Sequence, residues 1–170
     1  LVVIGGDAGG MATASQARRL RPDPSDLEIV AFEKGTRTSY SACGIPFRVG
    51  GLVDSLDDLV ARTPAQFAQQ HITVHTRHEV TAIDLGARTV AVHDLDGGGI
   101  RHEPFDQLLI GTGARPIRPN LPGIDLDLVH GVQTLDDAED LLRHAEQSRC
   151  SNVVVVGGGY IGLEMAEAFV

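Results

Sequence analysis

The sequence is poor in cysteine. Only Cys43 and Cys150 occur in its 170 residues, and they stand too far apart to form a C-x-x-C motif or a disulfide scaffold. Isolated cysteines are typical of a reducing compartment, so we expect a cytoplasmic protein. Cys150 directly precedes an apolar run, and we expect it to be structural.

Basic residues are also scarce. The sequence has 14 Lys and Arg against 23 Asp and Glu, which gives a net charge of -9 at pH 7. Nucleic acids and anionic membrane surfaces attract basic proteins, so this balance argues against either as the main partner. No apolar run is long enough to span a bilayer, and no signal peptide is visible.

An initiating methionine is missing as well. The chain begins directly in an apolar run and stops at Phe169-Val170, inside a predicted helix. We therefore expect it to be the front portion of a longer protein.

Glycine, in contrast, is abundant and forms two motifs. The first follows the apolar run Leu1–Ile4 and reads Gly5-Gly6-Asp7-Ala8-Gly9-Gly10; a helical pattern and a second predicted strand, residues 28–32, lead to Glu33. This order predicts a βαβ dinucleotide site, where the glycines and the helix N-terminus receive a pyrophosphate and Glu33 accepts bonds from a ribose. Asp7 stands where the middle glycine of G-x-G-x-x-G is expected.

The second motif follows Val153–Val156, which we predict to be a second buried strand. Gly157, Gly159 and Gly162 satisfy G-x-G-x-x-G in full. The acid that would distinguish NADH from NADPH falls beyond the last residue. Two fingerprints imply two nucleotides, and the natural pair is a bound flavin with the nicotinamide that reduces it.

The remaining patterns predict an α/β fold. A domain boundary is expected near the prolines at 116, 119 and 122, which separates a dinucleotide-binding domain, residues 1–120, from the start of a second one, residues 121–170. The predicted elements are a helix after Thr63-Pro64, strands at 72–74 and 79–84, a hairpin of 89–95 and 99–102, a buried strand at Leu108–Ile110 and a helix from Leu135 to about Glu146 capped by Thr134.

Cys43 lies ten residues after Glu33, just past the predicted strand end. Gly44 and Pro46 suit a helix that begins there, and a thiol at a helix N-terminus has a lowered pKa and reacts as the thiolate. The alternative is that Cys43 is a small buried apolar residue.

Three histidines, His71, His75 and His78, are candidate metal ligands by residue type. On a strand His71 and His75 would share a face while His78 points away, and no acid or thiol completes the set. We expect surface histidines and no metal.

These motifs make the sequence resemble the flavoprotein pyridine nucleotide–disulfide oxidoreductases over essentially the whole chain. The resemblance rests on residues 1–10, Phe32-Glu33-Lys34, Gly111-Thr112-Gly113 and residues 157–164. Glutathione-reductase-like members carry C-x-x-x-x-C beside the flavin, whereas Cys43 stands alone here. The chain therefore looks like the single-cysteine branch, which contains coenzyme A–disulfide reductase, NADH oxidase and NADH peroxidase.

The resemblance implies a FAD-binding Rossmann-type domain followed by the start of a Rossmann-type NAD(P)-binding domain, with FAD and NADH or NADPH as cofactors and a homodimer in the full-length protein. Cys43 would be the catalytic residue. The residues implied to contact the cofactors are Gly5, Gly6, Ala8, Gly9, Gly10, Glu33, Lys34, Val80, Thr112, Gly113, Gly157, Gly159, Tyr160, Ile161, Gly162 and Glu164, the last of which has an exposed helical glutamate as its alternative.

Within the branch, the first helix resembles that of coenzyme A–disulfide reductases. Residues matching Gln16, Arg19 and Ser39 contact coenzyme A in those enzymes. Ala12 and Ala42 depart from their pattern, and Ala8 replaces the histidine that is typical of the oxidases and peroxidases. For the basic residues at 18, 19 and 21, the alternative is a solvated helix C-terminus that complements the macrodipole.

The expected function is therefore NAD(P)H-dependent reduction of a small-molecule disulfide, coenzyme A disulfide, through FAD and Cys43. Two alternatives remain at this point. One is an NADH oxidase or peroxidase that uses a Cys43 sulfenic acid, and the other is a non-catalytic redox-sensing flavoprotein.

Overall fold

The structure is a computed structural model that describes residues 1–148 and 151–170, so Cys150 lies outside the described residues. By contacts, the chain divides into a first unit, Leu1–Tyr40 with Val60–Ala114, and a second unit, Ser41–Leu59 with Arg115–Val170. The division at residue 120 between two nucleotide-binding domains stays a prediction.

The described elements follow each other in the order expected of an α/β protein, which confirms the predicted fold class. They are β1 (Val2–Ile4), α1 (Ala8–Leu20), β2 (Val30–Phe32), α2 (Ile45–Val49), α3 (Pro64–Ala68), β3 (Thr73–His75), β4 (His78–Asp84), β5 (Thr89–Asp94), β6 (Ile100–Pro104), β7 (Leu108–Ile110), α4 (Leu135–Ser148) and α5 (Tyr160–Ala168), with 3₁₀ turns at Ala42–Gly44 and Leu56–Leu59.

A four-stranded parallel sheet in the order β3-β2-β1-β7 organises the first unit. Val3 of β1 pairs with Ala31 on one side and with Leu109 on the other. The chain leaves β1 for β2 and β3 and returns on the opposite side as β7. The carboxyl ends of β1 and β7 therefore form a topological switch point, the place where open α/β sheets bind ligands.

Alternate residues of each strand in this sheet pack into two different cores, because successive side chains of a strand point to opposite faces. One face of the sheet packs with residues of α1 and α3, and the other with the antiparallel sheet β4-β5-β6. The first core contains Val3, Met11, Ala14, Ile29, Ala31, Phe67 and Ile72, and the second contains Val2, Ile4, Val30, Phe32, Val90 and Val92.

The predicted helix starts are confirmed by their caps. The hydroxyl of Thr63 accepts from the backbone N–H of Gln66, and the Gln66 side chain accepts from the Thr63 N–H, which forms a capping box before α3. Thr134 and Asp137 exchange the same pair of bonds at the start of α4.

The second unit is helical where regular structure is assigned. α2 packs against both α4 and α5, and these helices bury Ile45, Leu135, Ala138 and Met165.

The prediction of a buried strand at Val153–Val156 is wrong for this structure. These residues carry no strand assignment, and Val154 and Val156 are 85% and 92% exposed. A strand needs a neighbour to complete its hydrogen bonds, and no described segment pairs with this run.

Candidate nucleotide sites and redox cysteine

The first glycine turn closes tightly on itself. Gly5 has a φ of +105°, and a Cβ on Gly10 would lie 1.9 Å from the Gly5 carbonyl oxygen. A Cβ on Gly5 would lie 2.1 Å from the carbonyl oxygen of Gly111, in the loop after β7. Both positions therefore require glycine, for conformation and for space.

Asp7 occupies the middle position of this turn without strain. Its φ is -109°, which any residue adopts, and it precedes α1 as the N-cap. Its carboxylate makes no cap bond to the helix and instead accepts from the Tyr40 N–H, with Oδ1 at 3.1 Å. The departure from G-x-G-x-x-G thus has a structural role that the sequence did not reveal.

The N-terminus of α1 presents donors suited to an anion. The first bond of the helix runs from the Met11 N–H to the Asp7 carbonyl at 2.9 Å. The N–H groups of Ala8, Gly9 and Gly10 therefore have no partner within the helix, and the space beyond Gly9 is open. A phosphate fits this position on geometry and on the helix dipole.

Glu33 lies beside the turn, at the end of β2. Its Oε2 accepts from the Gly6 N–H and its Oε1 from the Gly35 N–H, each at 2.7 Å. These bonds fix the carboxylate while each oxygen keeps a second acceptor site for a ribose hydroxyl. Lys34 follows it and is exposed.

The loop after β7 completes the switch point. The Gly111 N–H donates to the Ile4 carbonyl at 2.7 Å, and Gly113 has a φ of +67°. A cleft of about 290 Å³ opens there, with Val80 and Thr112 among its lining residues. The structure therefore places Val80 and Thr112 at one cleft, and the loop after β7 against the first glycine turn.

The second glycine turn repeats the geometry of the first. Gly157 has a φ of +118°, and a Cβ on Gly162 would lie 2.0 Å from the Gly157 carbonyl oxygen. Gly159 N-caps α5, whose first bond runs from the Leu163 N–H to the Gly159 carbonyl at 3.0 Å. The N–H groups of Tyr160, Ile161 and Gly162 are consequently without partners inside the helix.

In both turns, the closely packed glycines and the N–H groups without helix partners fit the phosphates of a dinucleotide. Glu164 is exposed on α5, which matches the alternative given for it and leaves its predicted role near the cofactors untested.

Cys43 is an exposed free thiol in the second unit. It is the middle residue of the 3₁₀ turn Ala42–Gly44, so α2 begins two residues later than the predicted helix start. Gly44 is packed so closely that a Cβ there would lie 2.3 Å from Leu59 Cδ2. The interpretation of Cys43 as a small buried residue is wrong, since its side chain is accessible for reaction.

Two of the three predicted substrate residues contact each other. Arg19 donates from Nε and Nη2 to Gln16 Oε1, at 2.9 and 2.6 Å, on the exposed surface of α1. Ser39 has a φ of +51° and is bound instead to the first turn, through its N–H to the Gly6 carbonyl at 3.0 Å. Its carbonyl accepts from the Ala61 N–H at 2.8 Å.

The alternative of a solvated helix end is wrong for Arg18. Its side chain is 7% exposed and donates to four backbone carbonyls, those of Arg21, Asp23, Leu27 and His71. The helical spacing in the sequence indicated this burial of Arg18, because Met11, Ala14 and Arg18 share one helical face and the first two are core residues.

The expectation of surface histidines holds for His71 and is wrong for His75 and His78. Both are half-buried, and the His75 ring stacks on Phe32 with 5.4 Å between centroids. Burial, and then the nearby Arg101 and His78, lower the pKa of His75. Within the described ranges no three His, Cys, Asp or Glu side chains are grouped to hold a metal ion.

The whole chain, residues 1–170, matches the family described as pyridine nucleotide-disulphide oxidoreductase. The chain belongs to this family. The pyridine nucleotide-disulphide oxidoreductases are FAD-dependent and use NAD(P)H, so the predicted family and cofactors are confirmed.

Individual family members cover the chain almost completely. It is 36% identical over 166 residues to an NADH oxidase of Methanocaldococcus jannaschii, covering 97% of this chain and 36% of that protein. It is 34% identical over 168 residues to a coenzyme A disulfide reductase of Staphylococcus haemolyticus, covering 98% of this chain and 37% of that protein. The crystal structure of reduced Bacillus anthracis CoADR-RHD superposes with a TM-score of 0.92 at 28% identity, covering 99% of this chain and 30% of that one.

The chain thus spans about a third of the length of these relatives. In the part of the chain that the structure describes, no helix has the length and apolar character needed to cross a membrane.

Proposed function

We propose that this chain is part of a flavin enzyme that uses NAD(P)H to reduce coenzyme A disulfide through Cys43. The observation that carries the proposal is an exposed lone thiol in a chain with two dinucleotide-type glycine turns. The first turn, with Glu33, Val80 and Thr112, would hold FAD, and the second turn, with Tyr160 and Glu164, would hold the nicotinamide nucleotide. The boundary near residue 120, the homodimer and the cytoplasmic location remain predictions.

Cys43 performs two balanced steps in this proposal. Its thiolate attacks one sulfur of the disulfide, which forms a Cys43 mixed disulfide and releases the other half as a thiolate. Two electrons then cleave the mixed disulfide, so the second thiolate leaves and the Cys43 thiolate is restored. When bound at the two glycine turns, FAD and NAD(P)H would supply those two electrons, which originate as a hydride on the nicotinamide. The net change is that one disulfide, one NAD(P)H and one proton from solvent become two thiols and NAD(P)⁺.

The choice of coenzyme A disulfide is supported by α1. Arg19 is held by a neutral partner, Gln16, and guanidinium groups bind phosphate with strong charge-assisted bonds. The 34% identity to a coenzyme A disulfide reductase supports the same substrate. Ala12 and Ala42 are the two positions that depart from that resemblance.

An NADH oxidase is the second candidate, favoured by the 36% identity to a protein of that name. Oxygen or peroxide would then replace the disulfide, and Cys43 would cycle through a sulfenic acid. Ala8 argues against this alternative, because an alanine at the start of α1 supplies no acid or base for peroxide chemistry.

Replacement of the thiol separates these possibilities. In the flavin-loaded Cys43→Ser protein, NAD(P)H should still reduce the flavin, while turnover of coenzyme A disulfide should fall by about a thousandfold or more because no sulfur nucleophile remains. Stopped-flow flavin absorbance and steady-state thiol release measure the two reactions, and Cys150→Ser is the matched control.

Mass spectrometry of the untreated protein distinguishes the two acceptors. Coenzyme A attached to Cys43 supports the disulfide reductase, and a sulfenic acid alone supports the oxidase. Undiminished disulfide turnover in Cys43→Ser would defeat the proposal.

A further inference from the structure

The residues that precede Cys43 are tied to the first glycine turn by three hydrogen bonds. The Gly6 carbonyl accepts from the Thr38 hydroxyl and from the Ser39 N–H, the latter at 3.0 Å. The Tyr40 N–H donates to Asp7 Oδ1 at 3.1 Å, in a partly buried place. Water competes less for a bond there, and a carboxylate is a strong acceptor, so Asp7 holds the Tyr40 backbone firmly.

Tyr40 is the last residue before the segment that carries the thiol. An antiparallel bridge between Tyr40 and Val60 closes the two ends of this segment, residues 41–59. We call it the cysteine segment, and Cys43 lies three residues beyond Tyr40. The cysteine segment therefore starts from the backbone that Asp7 holds, and a shift at Tyr40 would reach the thiol through three consecutive residues.

The glycine turn itself does not need Asp7. Gly159 occupies the matching N-cap position of the second turn, and both residues have an extended backbone, with φ of -75° at Gly159 and -109° at Asp7. An N-cap aspartate ordinarily stabilises its helix by accepting an N–H of the first helical turn, but Asp7 makes no such bond. Its carboxylate therefore contributes to the contact with Tyr40 and not to the start of α1.

Ser39 has a backbone conformation that needs support from its neighbours. Its φ of +51° lies in the left-handed region, which residues with a side chain seldom adopt. Such a conformation persists only where the surrounding structure holds it. The bonds of Thr38 and Tyr40 flank it on both sides. Loss of the Asp7 acceptor should therefore let the residues before Cys43 relax.

We propose that Asp7 is a positioning residue, which fixes the start of the cysteine segment by accepting the Tyr40 N–H. Asp7 acts through the Tyr40 backbone and not on the substrate. The catalytic consequence rests on the proposed disulfide reductase function, because turnover through Cys43 needs the thiol in a defined place. The hydrogen bond itself is tested without turnover.

Hydrogen exchange of the full-length, flavin-loaded protein, followed by mass spectrometry, measures this bond directly. Asp7→Ala removes the acceptor, and the Tyr40 amide should exchange about tenfold faster, which corresponds to the loss of one charge-assisted hydrogen bond. Asp7→Asn keeps an acceptor oxygen and should stay near the wild type. Asp23→Ala is the matched control, since Asp23 Oδ1 accepts the Ser25 N–H at 2.9 Å elsewhere in the first unit.

Steady-state turnover measures the consequence for catalysis. In Asp7→Ala the kcat for coenzyme A disulfide should fall about tenfold with an unchanged KM, while NAD(P)H should reduce the flavin at the wild-type rate. Asp7→Asn should keep the wild-type kcat. If Asp7→Ala does not fold or does not retain flavin, Asp7→Gly takes its place in both measurements, because glycine is the residue at the matching position of the second turn.

The two measurements separate this inference from the proposed function. If Asp7→Ala speeds exchange at Tyr40 while the wild type does not reduce coenzyme A disulfide, the proposed function fails and Asp7 still fixes the cysteine segment. If the disulfide is reduced but Asp7→Ala matches Asp23→Ala in exchange or in kcat, the positioning role is overturned. An equal loss in Asp7→Asn would also overturn it, because the charge and not the hydrogen bond would then be responsible.

Discussion

The two glycine turns close on their own carbonyl oxygens in nearly the same way, although their surroundings differ. A Cβ on the last glycine would lie 1.9 Å from the first carbonyl at Gly10 and 2.0 Å at Gly162. The strand before the first turn is paired on both sides, whereas Val153–Val156 has no described partner. The conformation of each glycine turn is therefore determined by six consecutive residues. The strand before each turn forms only where segments distant in sequence pair with it.

The neighbours of the two turns differ as well. A side chain at Gly5 or Gly6 would collide with the loop after β7 or with Glu33. Added Cβ atoms at Gly157, Gly158 and Gly159 would meet nothing within 4 Å. Substitutions should therefore affect folding at the first turn, and also at Gly157 because its φ of +118° strains any side chain. At Gly158 and Gly159 they should affect ligand binding alone.

The largest expected effect comes from adding a methyl group inside the first glycine turn. Gly10→Ala places a Cβ 1.9 Å from the backbone oxygen of Gly5, so the backbone must shift. The substitution should lower the unfolding free energy by about 1–3 kcal/mol and weaken retention of FAD. Denaturant unfolding and flavin content measure the two losses. Gly131→Ala, at an exposed glycine with open space around it, is the control.

Gly162→Ala extends the comparison to the second turn. The same local clash should abolish flavin reduction by NAD(P)H while bound FAD is retained. Loss of FAD in this variant would contradict the assignment of the two turns to different nucleotides.

A smaller effect is expected from Gly159→Val. Gly159 has a φ of -75° and open space at its Cβ, so the chain should accept valine with less than about 0.5 kcal/mol lost in unfolding free energy. The branched side chain would stand beside the free N–H groups of α5, and the KM for NAD(P)H should rise at least tenfold. An unchanged KM in the folded variant would show that no phosphate binds there.

The smallest effect concerns pH and again involves both units. Burial lowers the pKa of His75 in the first unit, and burial and the nearby His144 are the leading causes that lower the pKa of His130 in the second, each from an ordinary value of 6.5. The unfolded chain then binds protons more readily than the folded one, so stability is lost as the pH falls below about 6.5.

Melting temperatures between pH 7.5 and 5.5 should show this decline. His75→Gln and His130→Gln should each flatten part of it, since glutamine stays neutral. A decline that neither variant changes would assign the pH dependence to other groups.

Local signals in the sequence predicted the first unit well. The apolar run Leu1–Ile4, the glycine turn and the Thr63 cap are short-range patterns, and each was found within a residue or two of its predicted place. The acid at Glu33 was found beside the turn, although its bonds to Gly6 and Gly35 were not foreseen.

The features that were missed depend on residues far apart in sequence. Asp7 meets Tyr40, Arg18 meets His71 and Phe32 meets His75, and no local pattern specifies such pairs. The wrong prediction of a strand at Val153–Val156 has the same cause, because an apolar run forms a strand only where a partner strand is present. Arg62 likewise contacts Ser15, Phe67 and Gln70, which come together only in the folded unit.

The central place of β1 has a consequence for the order of events in folding. β1 precedes both of its partners in the chain, and one of them, β7, comes near the end of the first unit. Pairings between distant segments form slowly, because a long loop must close before any contact rewards it. During synthesis the contact between the Gly5 turn and Gly111 must therefore form late. If FAD binds at this turn, as we propose, it would stabilise the unit only after nearly all of it has left the ribosome.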